Sequence, residues 1–170
     1  MTEKIIIVDF GSQYTQLIAR RIREMQVYCE IVPYNKFRQD DTADDASGHR
    51  GTPSGGHSPF GPEVKGVVLS GSPCSVRQEN APTVNLDGIK GVLPLLGVCY
   101  GAQYLAQFFG GSVEKSPTRE YGRAMMNVRD ASDPLMAGLS ASSQVWMSHG
   151  DTITSIPPTY HIIASTEDVD

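Results

Sequence analysis

Residues 91–103 read GVLPLLGVCYGAQ, and this stretch decides the predicted fold. The apolar run 92–98 is typical of a buried strand, and the residues after Gly101 favour a helix. Between them, Gly97 and Gly101 bracket Cys99 in the G-x-nucleophile-x-G pattern of a nucleophile elbow, where small residues let strand and helix pass closely. We therefore expect Cys99 to project from the carboxyl end of a strand, above a helix N-terminus whose amides and dipole favour the thiolate.

The other two cysteines, Cys29 and Cys74, have no such surroundings. Free cysteines are usually buried and inert, and we interpret both in that way. Cys99 differs because two glycines, an apolar strand and the polar Gln103 one helical turn later agree on one geometry. Three cysteines without a C-x-x-C pair predict neither a disulfide framework nor a zinc site.

Composition indicates one folded domain. The chain has 170 residues, of which 39% are hydrophobic and 19% charged, which is enough for a substantial core. A net charge of -5 without a basic cluster argues against nucleic acid as a partner. The sequence has neither an apolar run long enough to span a membrane nor a signal-peptide pattern at its N-terminus. We expect a cytoplasmic protein without a membrane partner.

The first half of the chain predicts a parallel sheet. Residues 4–10 form a β-branched run, a helix is expected over about 14–25, and residues 28–34 form a second strand. A strand, a helix and a strand of these lengths make a βαβ unit, so the two strands are parallel. A further buried strand at 66–70 joins them before the strand of the elbow. The apolar stripe of the helix comprises Leu17, Ile18, Ile22 and Met25.

The second half predicts one helix at 102–109, ended by Gly110 and Gly111 as its cap, and another that begins at Pro134 with Asp133 as its N-cap. The predicted fold class is α/β, a doubly wound and mostly parallel sheet of flavodoxin-like type with flanking helices and a few antiparallel edge strands. The further strands are expected at 112–114, 122–129, 144–148 and 161–165.

Residues 37–62 differ in composition from the rest. They carry a run of aspartates and then a stretch rich in Gly, Ser and Pro, with few aliphatic residues to bury, so we predict a disordered insertion. His49 and His57 fit no standard metal-site spacing, and a solvated loop is the better interpretation. The segment is either an insertion specific to this protein or an altered stretch.

A cysteine nucleophile for acyl transfer needs oxyanion donors and a base. We predict as donors the N–H of Tyr100, directly after the nucleophile, and an N–H of the turn Gly71-Ser72, because both lie at the carboxyl edge of the sheet. A plain tight turn is an equal interpretation of Gly71-Ser72 taken alone. The base stays open at this point. The ordered candidates are His149 and His161, with Asp151 or Glu167 to orient one of them.

Four motifs together resemble the class I, triad-type glutamine amidotransferase domain of the GMP synthase family. They are the elbow CYGAQ at 99–103, the opening VDFGSQY at 8–14, the turn LSGSP at 69–73 and the segment WMSHGD at 146–151. The elbow alone would indicate only the class I superfamily. The resemblance covers the chain from about residue 3 to the end apart from the insertion, so we predict that 1–170 is one glutamine amidotransferase domain.

The resemblance implies that Cys99 attacks the carboxamide of glutamine, forms a γ-glutamyl thioester and releases ammonia. Ammonia then passes to an ATP-pyrophosphatase (synthetase) domain or subunit, which uses ATP and Mg²⁺ to aminate xanthosine monophosphate to GMP. It implies no cofactor or metal in the present domain, and a homodimer formed through the synthetase part. The residues it assigns to the substrate glutamine and its oxyanion are Gly71, Ser72, Tyr100, Gln103, Ser148, His149, Gly150 and Asp151.

In this family the base and its orienting carboxylate lie in a His-Pro-Glu motif, which residues 1–170 do not contain. The family's histidine in the Ser-His-Gly segment is not the base, so we do not assign that role to His149. We accordingly expect a C-terminally incomplete domain that lacks its general base and its synthetase domain. Two other functions stay open: a cysteine hydrolase of the same fold, such as a γ-glutamyl peptidase, and a non-catalytic module that docks on a synthetase.

Overall fold

The structure, a computed structural model, describes residues 2–37, 60–167 and 169, and for 117–121 it describes the backbone only. It divides into two compact units, Met1–Leu105 and Ala106–Asp170. The predicted insertion at 37–62, with His49 and His57, falls mostly outside the described residues. Its described ends meet, because the rings of Phe37 and Phe60 lie 5.5 Å apart.

The first unit contains a four-stranded sheet in the order β2-β1-β3-β4, and every neighbouring pair of strands is parallel. One helix, α1, connects β1 to β2 and completes the βαβ unit that the sequence predicts. The strands are β1 Lys4–Asp9, β2 Cys29–Pro33, β3 Val64–Leu69 and β4 Leu95–Gly97, and α1 covers Thr15–Glu24.

Helix α1 packs on the sheet through a different stripe from the predicted one. Thr15 and Ala19 are buried, and Ile18 and Ile22 pack against a core cluster of Ile7, Ala19, Cys29 and Val68. Leu17 and Met25 are 48% and 78% exposed, so including them in the stripe was wrong. The small side chain of Ala19 lets the helix approach the sheet, and the Thr15 hydroxyl donates to Asp9 at 2.7 Å.

The second unit contains an antiparallel sheet in the order β6-β5-β7. Its strands are β5 Ser112–Val128, β6 Ser142–Ser155 and β7 Ala164–Ser165, and α2, Tyr100–Phe108, crosses the boundary between the units. Two 3-10 helices cover Tyr34–Lys36 and Pro134–Met136.

The α/β class, with a mostly parallel sheet and additional antiparallel strands, is confirmed. One detail was wrong: in the described residues the antiparallel strands are not edge strands of the parallel sheet but form a sheet of their own. The physical reason is that β5 and β6 pair with each other along most of their length, from Ser112 with Ser155 to Asn127 with Ser142. Across the described ranges, no helix is long and apolar enough to cross a membrane.

Candidate active site

The elbow is held against the end of β3 by main-chain hydrogen bonds. Val98 N–H donates to the carbonyl of Leu69 at 2.9 Å, and Gly101 N–H donates to the carbonyl of Ser70 at 3.0 Å. The strand that leads into it is shorter than predicted, because β4 begins only at Leu95. These bonds fix the turn between β4 and α2 on both sides of Cys99.

Close packing explains both glycines of the elbow. A Cβ on Gly101 would overlap the carbonyl oxygen of Leu69, and its distance to the Leu69 Cβ would be 2.7 Å. A Cβ on Gly97 would lie 2.6 Å from the Ala102 nitrogen. Neither position has room for a side chain, so the G-x-C-x-G spacing is a steric requirement of this turn.

Cys99 is exposed, and its backbone has a φ of 54°. This left-handed conformation costs a non-glycine residue roughly 1–2 kcal/mol, and such strain is concentrated at functional sites. The Cys99 carbonyl accepts from Ala102 N–H at 3.0 Å and from Gln103 N–H at 3.1 Å, so Cys99 directly precedes α2. The nucleophile candidate is therefore presented to solvent at a strained helix N-terminus.

The first residue of α2 and the Gly71 turn lie beside this position. Tyr100 is the first residue of α2, and in the described parts of the chain its N–H meets no acceptor. Gly71 lies beside the nucleophile: a Cβ on Gly71 would be 3.6 Å from Cys99 Cβ and 3.3 Å from Ser12 Oγ. The structure thus brings together Cys99, Tyr100 and the Gly71 turn, as the sequence predicts, and adds Ser12, which the sequence marks only as part of the opening motif at 8–14.

The ring of Tyr100 is buried among other aromatic side chains. Its hydroxyl donates to the carbonyl of Pro82 at 2.6 Å, and the ring stacks on Tyr104 at 6.3 Å and contacts Phe10 at 5.2 Å. Burial raises the pKa of Tyr100 to about 12. The side chain is therefore a neutral anchor at neutral pH, with its hydroxyl bonded to the Pro82 carbonyl.

The remaining predicted substrate residues lie in two places. Gln103 is half-buried on the first turn of α2, in the same unit as Cys99. Ser148, His149, Gly150 and Asp151 lie in the second unit, within strand β6, so the strand predicted at 144–148 was too short. Their backbones are extended because they pair with β5, as Asp151 does with Lys115. Their role toward glutamine stays a prediction.

The other histidine candidate, His161, lies outside β7 and is largely exposed. Its Nε2 lies 3.8 Å from Asp130 Oδ2 and 3.9 Å from Asp133 Oδ2. The pKa of Asp130 is lowered, chiefly because the Ser132 hydroxyl and amide donate to it. The carboxylates beside His161 are thus Asp130 and Asp133, whereas the sequence predicted Asp151 or Glu167 as the orienting group. The described residues include no group of three or more His, Cys, Asp or Glu suited to a metal ion.

Comparison with known proteins indicates a glutamine amidotransferase. The family model described as glutamine amidotransferase class-I matches residues 6–170. Proteins named GMP synthase [glutamine-hydrolyzing] from Cytophaga hutchinsonii and Phocaeicola vulgatus are 57% and 53% identical over 169 residues, which is 99% of this chain. The chain spans 29% of the length of each of these relatives.

Solved structures agree in fold. A protein of Thermoplasma acidophilum, provisionally named as a GMP synthase subunit, has a TM-score of 0.71 and 28% identity, covering 100% of this chain and 76% of its own. A glutamine amidotransferase of Thermotoga maritima has a TM-score of 0.68 at 17% identity, with coverage of 100% and 70%. Because the family model covers nearly the whole sequence, and the elbow geometry accompanies it, this chain belongs to the class-I glutamine amidotransferase family.

Proposed function

We propose that this chain is the glutamine-hydrolysing part of a GMP synthase. The observation that carries the proposal is Cys99, exposed at a strained strand-to-helix turn beside the Tyr100 amide and the Gly71 turn. The proposal is further supported by the GMP synthase relatives at 57% and 53% identity. A structural cysteine would gain nothing from the strained backbone, whereas a nucleophile gains access to substrate.

In the proposed reaction the Cys99 thiolate attacks the γ-carboxamide carbon of glutamine. A C–S bond forms, and the carbonyl oxygen becomes an oxyanion that accepts hydrogen bonds from the Tyr100 amide and from an amide of the Gly71-Ser72 turn. The C–N bond then breaks as the nitrogen takes up a proton, and ammonia leaves. Water attacks the γ-glutamyl thioester, which releases glutamate and regenerates the thiol. A general acid and base must protonate the leaving nitrogen and activate the water, a role that the family resemblance gives to a His-Pro-Glu motif.

Substrate binding and partners complete the proposal. Gln103 and the β6 residues Ser148, His149, Gly150 and Asp151 hold the glutamine, and the ammonia is used by a synthetase part that consumes ATP with Mg²⁺ to convert xanthosine monophosphate to GMP. The synthetase part carries the homodimer contact. We place the protein in the cytoplasm together with this synthetase part.

The test uses the full-length protein and its Cys99→Ala variant. We expect the variant to lose GMP synthesis from glutamine and to keep synthesis from added ammonia, because only the thioester route needs the thiol. The matched control is Cys74→Ala, which removes a half-buried thiol and should keep both activities. Glutamine use that survives in Cys99→Ala would contradict the nucleophile assignment.

The same preparation separates the alternatives. Turnover of γ-glutamyl peptides in place of glutamine would indicate a peptidase. A thiol that reacts with iodoacetamide no faster than an ordinary cysteine, together with no turnover of either substrate, would indicate a non-catalytic docking module.

A further inference from the structure

Ser70 lies directly after β3, and it connects three parts of the first unit. It is completely buried, with a relative exposure of 0%. Its main-chain N–H donates to the Val8 carbonyl of β1, and its carbonyl accepts from Gly101 N–H in the elbow, each at 3.0 Å. Its hydroxyl accepts from Phe10 N–H at 3.0 Å and donates to the Gly71 carbonyl at 2.9 Å. The single hydroxyl proton is thus used on Gly71.

The bond to Gly71 sets the direction of the next amide. In a trans peptide the C=O of one residue and the N–H of the next point in opposite directions, and the described residues contain no cis peptide bond. Because the Gly71 carbonyl points toward the buried Ser70 hydroxyl, the Ser72 N–H points away from it. That N–H makes no hydrogen bond within the described residues. This N–H belongs to the peptide that joins Gly71 to Ser72, and Gly71 lies beside the nucleophile Cys99.

We propose that Ser70 is a positioning residue for the oxyanion site. Its hydroxyl holds the Gly71–Ser72 peptide so that the Ser72 N–H is available to the oxyanion formed at Cys99. Its carbonyl, through Gly101 N–H, holds the elbow that presents the Tyr100 amide. One buried residue, Ser70, therefore positions both oxyanion donors. This inference rests on the proposed glutamine hydrolysis and names the groups that orient its donors.

The bond from the Ser70 hydroxyl to Gly71 depends on the side chain, whereas the bond from Gly101 N–H to the Ser70 carbonyl does not, so mutation can separate the two. Removing the Ser70 hydroxyl frees the Gly71 carbonyl, and glycine backbones rotate easily, so the Ser72 N–H loses its fixed direction. The main-chain bond from Gly101 to Ser70 is unaffected by a side-chain change. Removing the Ser70 hydroxyl should therefore change the orientation of the Ser72 N–H without moving Cys99.

The test is Ser70→Ala in the full-length protein, with steady-state glutamine hydrolysis as the readout. We expect kcat to fall roughly tenfold to a hundredfold, because a misdirected oxyanion donor weakens only the transition state. The KM for glutamine should stay within about twofold, since ground-state binding is unchanged. The rate of Cys99 alkylation by iodoacetamide should equal that of the wild type.

The matched control is Thr15→Val, which also removes a buried hydroxyl near the end of β1, the one that donates to Asp9 at 2.7 Å. It should lower stability and leave kcat unchanged. A Ser70→Ala variant with the kcat of Thr15→Val would overturn the proposal, and so would a kcat loss accompanied by an equal change in alkylation rate, because that pattern indicates a damaged elbow.

If Ser70→Ala does not fold, Ser70→Cys takes its place, since it fills the site with a weaker donor. A smaller but measurable fall in kcat at constant KM supports the proposal, and an unchanged kcat overturns it. A Cys99→Ala protein that still hydrolyses glutamine would overturn the proposed function together with this inference, so the two failures are distinguishable.

Discussion

Two of the four motifs that carry the family resemblance, the elbow at 99–103 and the segment at 146–151, have different surroundings. At the elbow, a Cβ on Gly101 would overlap the backbone of Leu69, whereas a Cβ on Gly150 in β6 would meet none of the described atoms within 4 Å. Packing thus dictates glycine at position 101 and does not require it at position 150. The first motif is therefore needed for the fold itself, whereas packing does not explain the glycine of the second.

The largest expected effect is a direct test of that difference. Gly101→Ala places a Cβ against the Leu69 carbonyl and Cβ, and we expect it to lower the free energy of unfolding by about 3 kcal/mol or more, because the obstacle includes backbone. Gly150→Ala, the matched control, should change it by no more than about 0.5 kcal/mol. Denaturant unfolding of both variants measures the difference. A loss of unfolding free energy in Gly101→Ala as small as that in Gly150→Ala would show that the elbow is less tightly packed than in the structure.

Tyr100→Phe tests the anchor beside the elbow. It leaves the buried Pro82 carbonyl without its donor, so we expect a loss of about 1.5 kcal/mol in the free energy of unfolding. Tyr28→Phe, which removes an exposed hydrogen bond to Glu30, should cost no more than about 0.5 kcal/mol.

The same tyrosine predicts a pH dependence. Its pKa is about 12 in the folded protein, above the ordinary value of 10.0, so the unfolded chain releases the phenolic proton first. Its contribution to stability is complete below pH 10 and is lost as the pH rises toward 12. Unfolding measured across this window should show a shallower decline for Tyr100→Phe than for the wild type. Parallel curves would contradict burial as the cause of the raised pKa.

Backbone strain gives a smaller and opposite effect. Cys99 and Gln26 have φ values of 54° and 60°, and glycine adopts this region without the steric cost. Cys99→Gly and Gln26→Gly should therefore each stabilise the protein by about 1 kcal/mol, the cost of left-handed backbone. Only Cys99→Gly should abolish glutamine hydrolysis. Thermal unfolding and an activity assay decide this, and a Cys99→Gly protein that is less stable than the wild type would refute the strain.

The parts that could be predicted from sequence have short-range causes. The elbow follows from two glycines and an apolar run, and the cap of α2 follows from Gly110, whose φ is 93°, and Gly111, whose N–H donates to the Ala106 carbonyl at 2.7 Å. The N-cap was predictable for the same reason: the Asp133 side chain accepts from Leu135 N–H at 2.8 Å, although only a 3-10 helix follows.

The parts that could not be predicted depend on residues far apart in the chain. Pairing of Lys115 with Asp151 and of Arg123 with Trp146 makes one long ribbon, where the sequence suggested separate short strands. Which face of α1 is buried likewise depends on how closely Ala19 approaches the sheet, and periodicity alone does not reveal that. Ser12 was part of the opening motif but was not predicted as a site residue, because its nearness to Gly71 arises only when loops distant in sequence meet at one sheet edge.

The smallest expected effect concerns Trp146, at the start of the second motif. Its side chain is 73% exposed on β6, whereas the Tyr100 ring of the first motif is 1% exposed. Trp146→Ala in the 170-residue chain should therefore change the free energy of unfolding by no more than about 0.5 kcal/mol, because little apolar area returns to water. A loss above about 1.5 kcal/mol would mean that the indole is packed, and the contrast between the buried elbow motif and the exposed start of the second motif would fail.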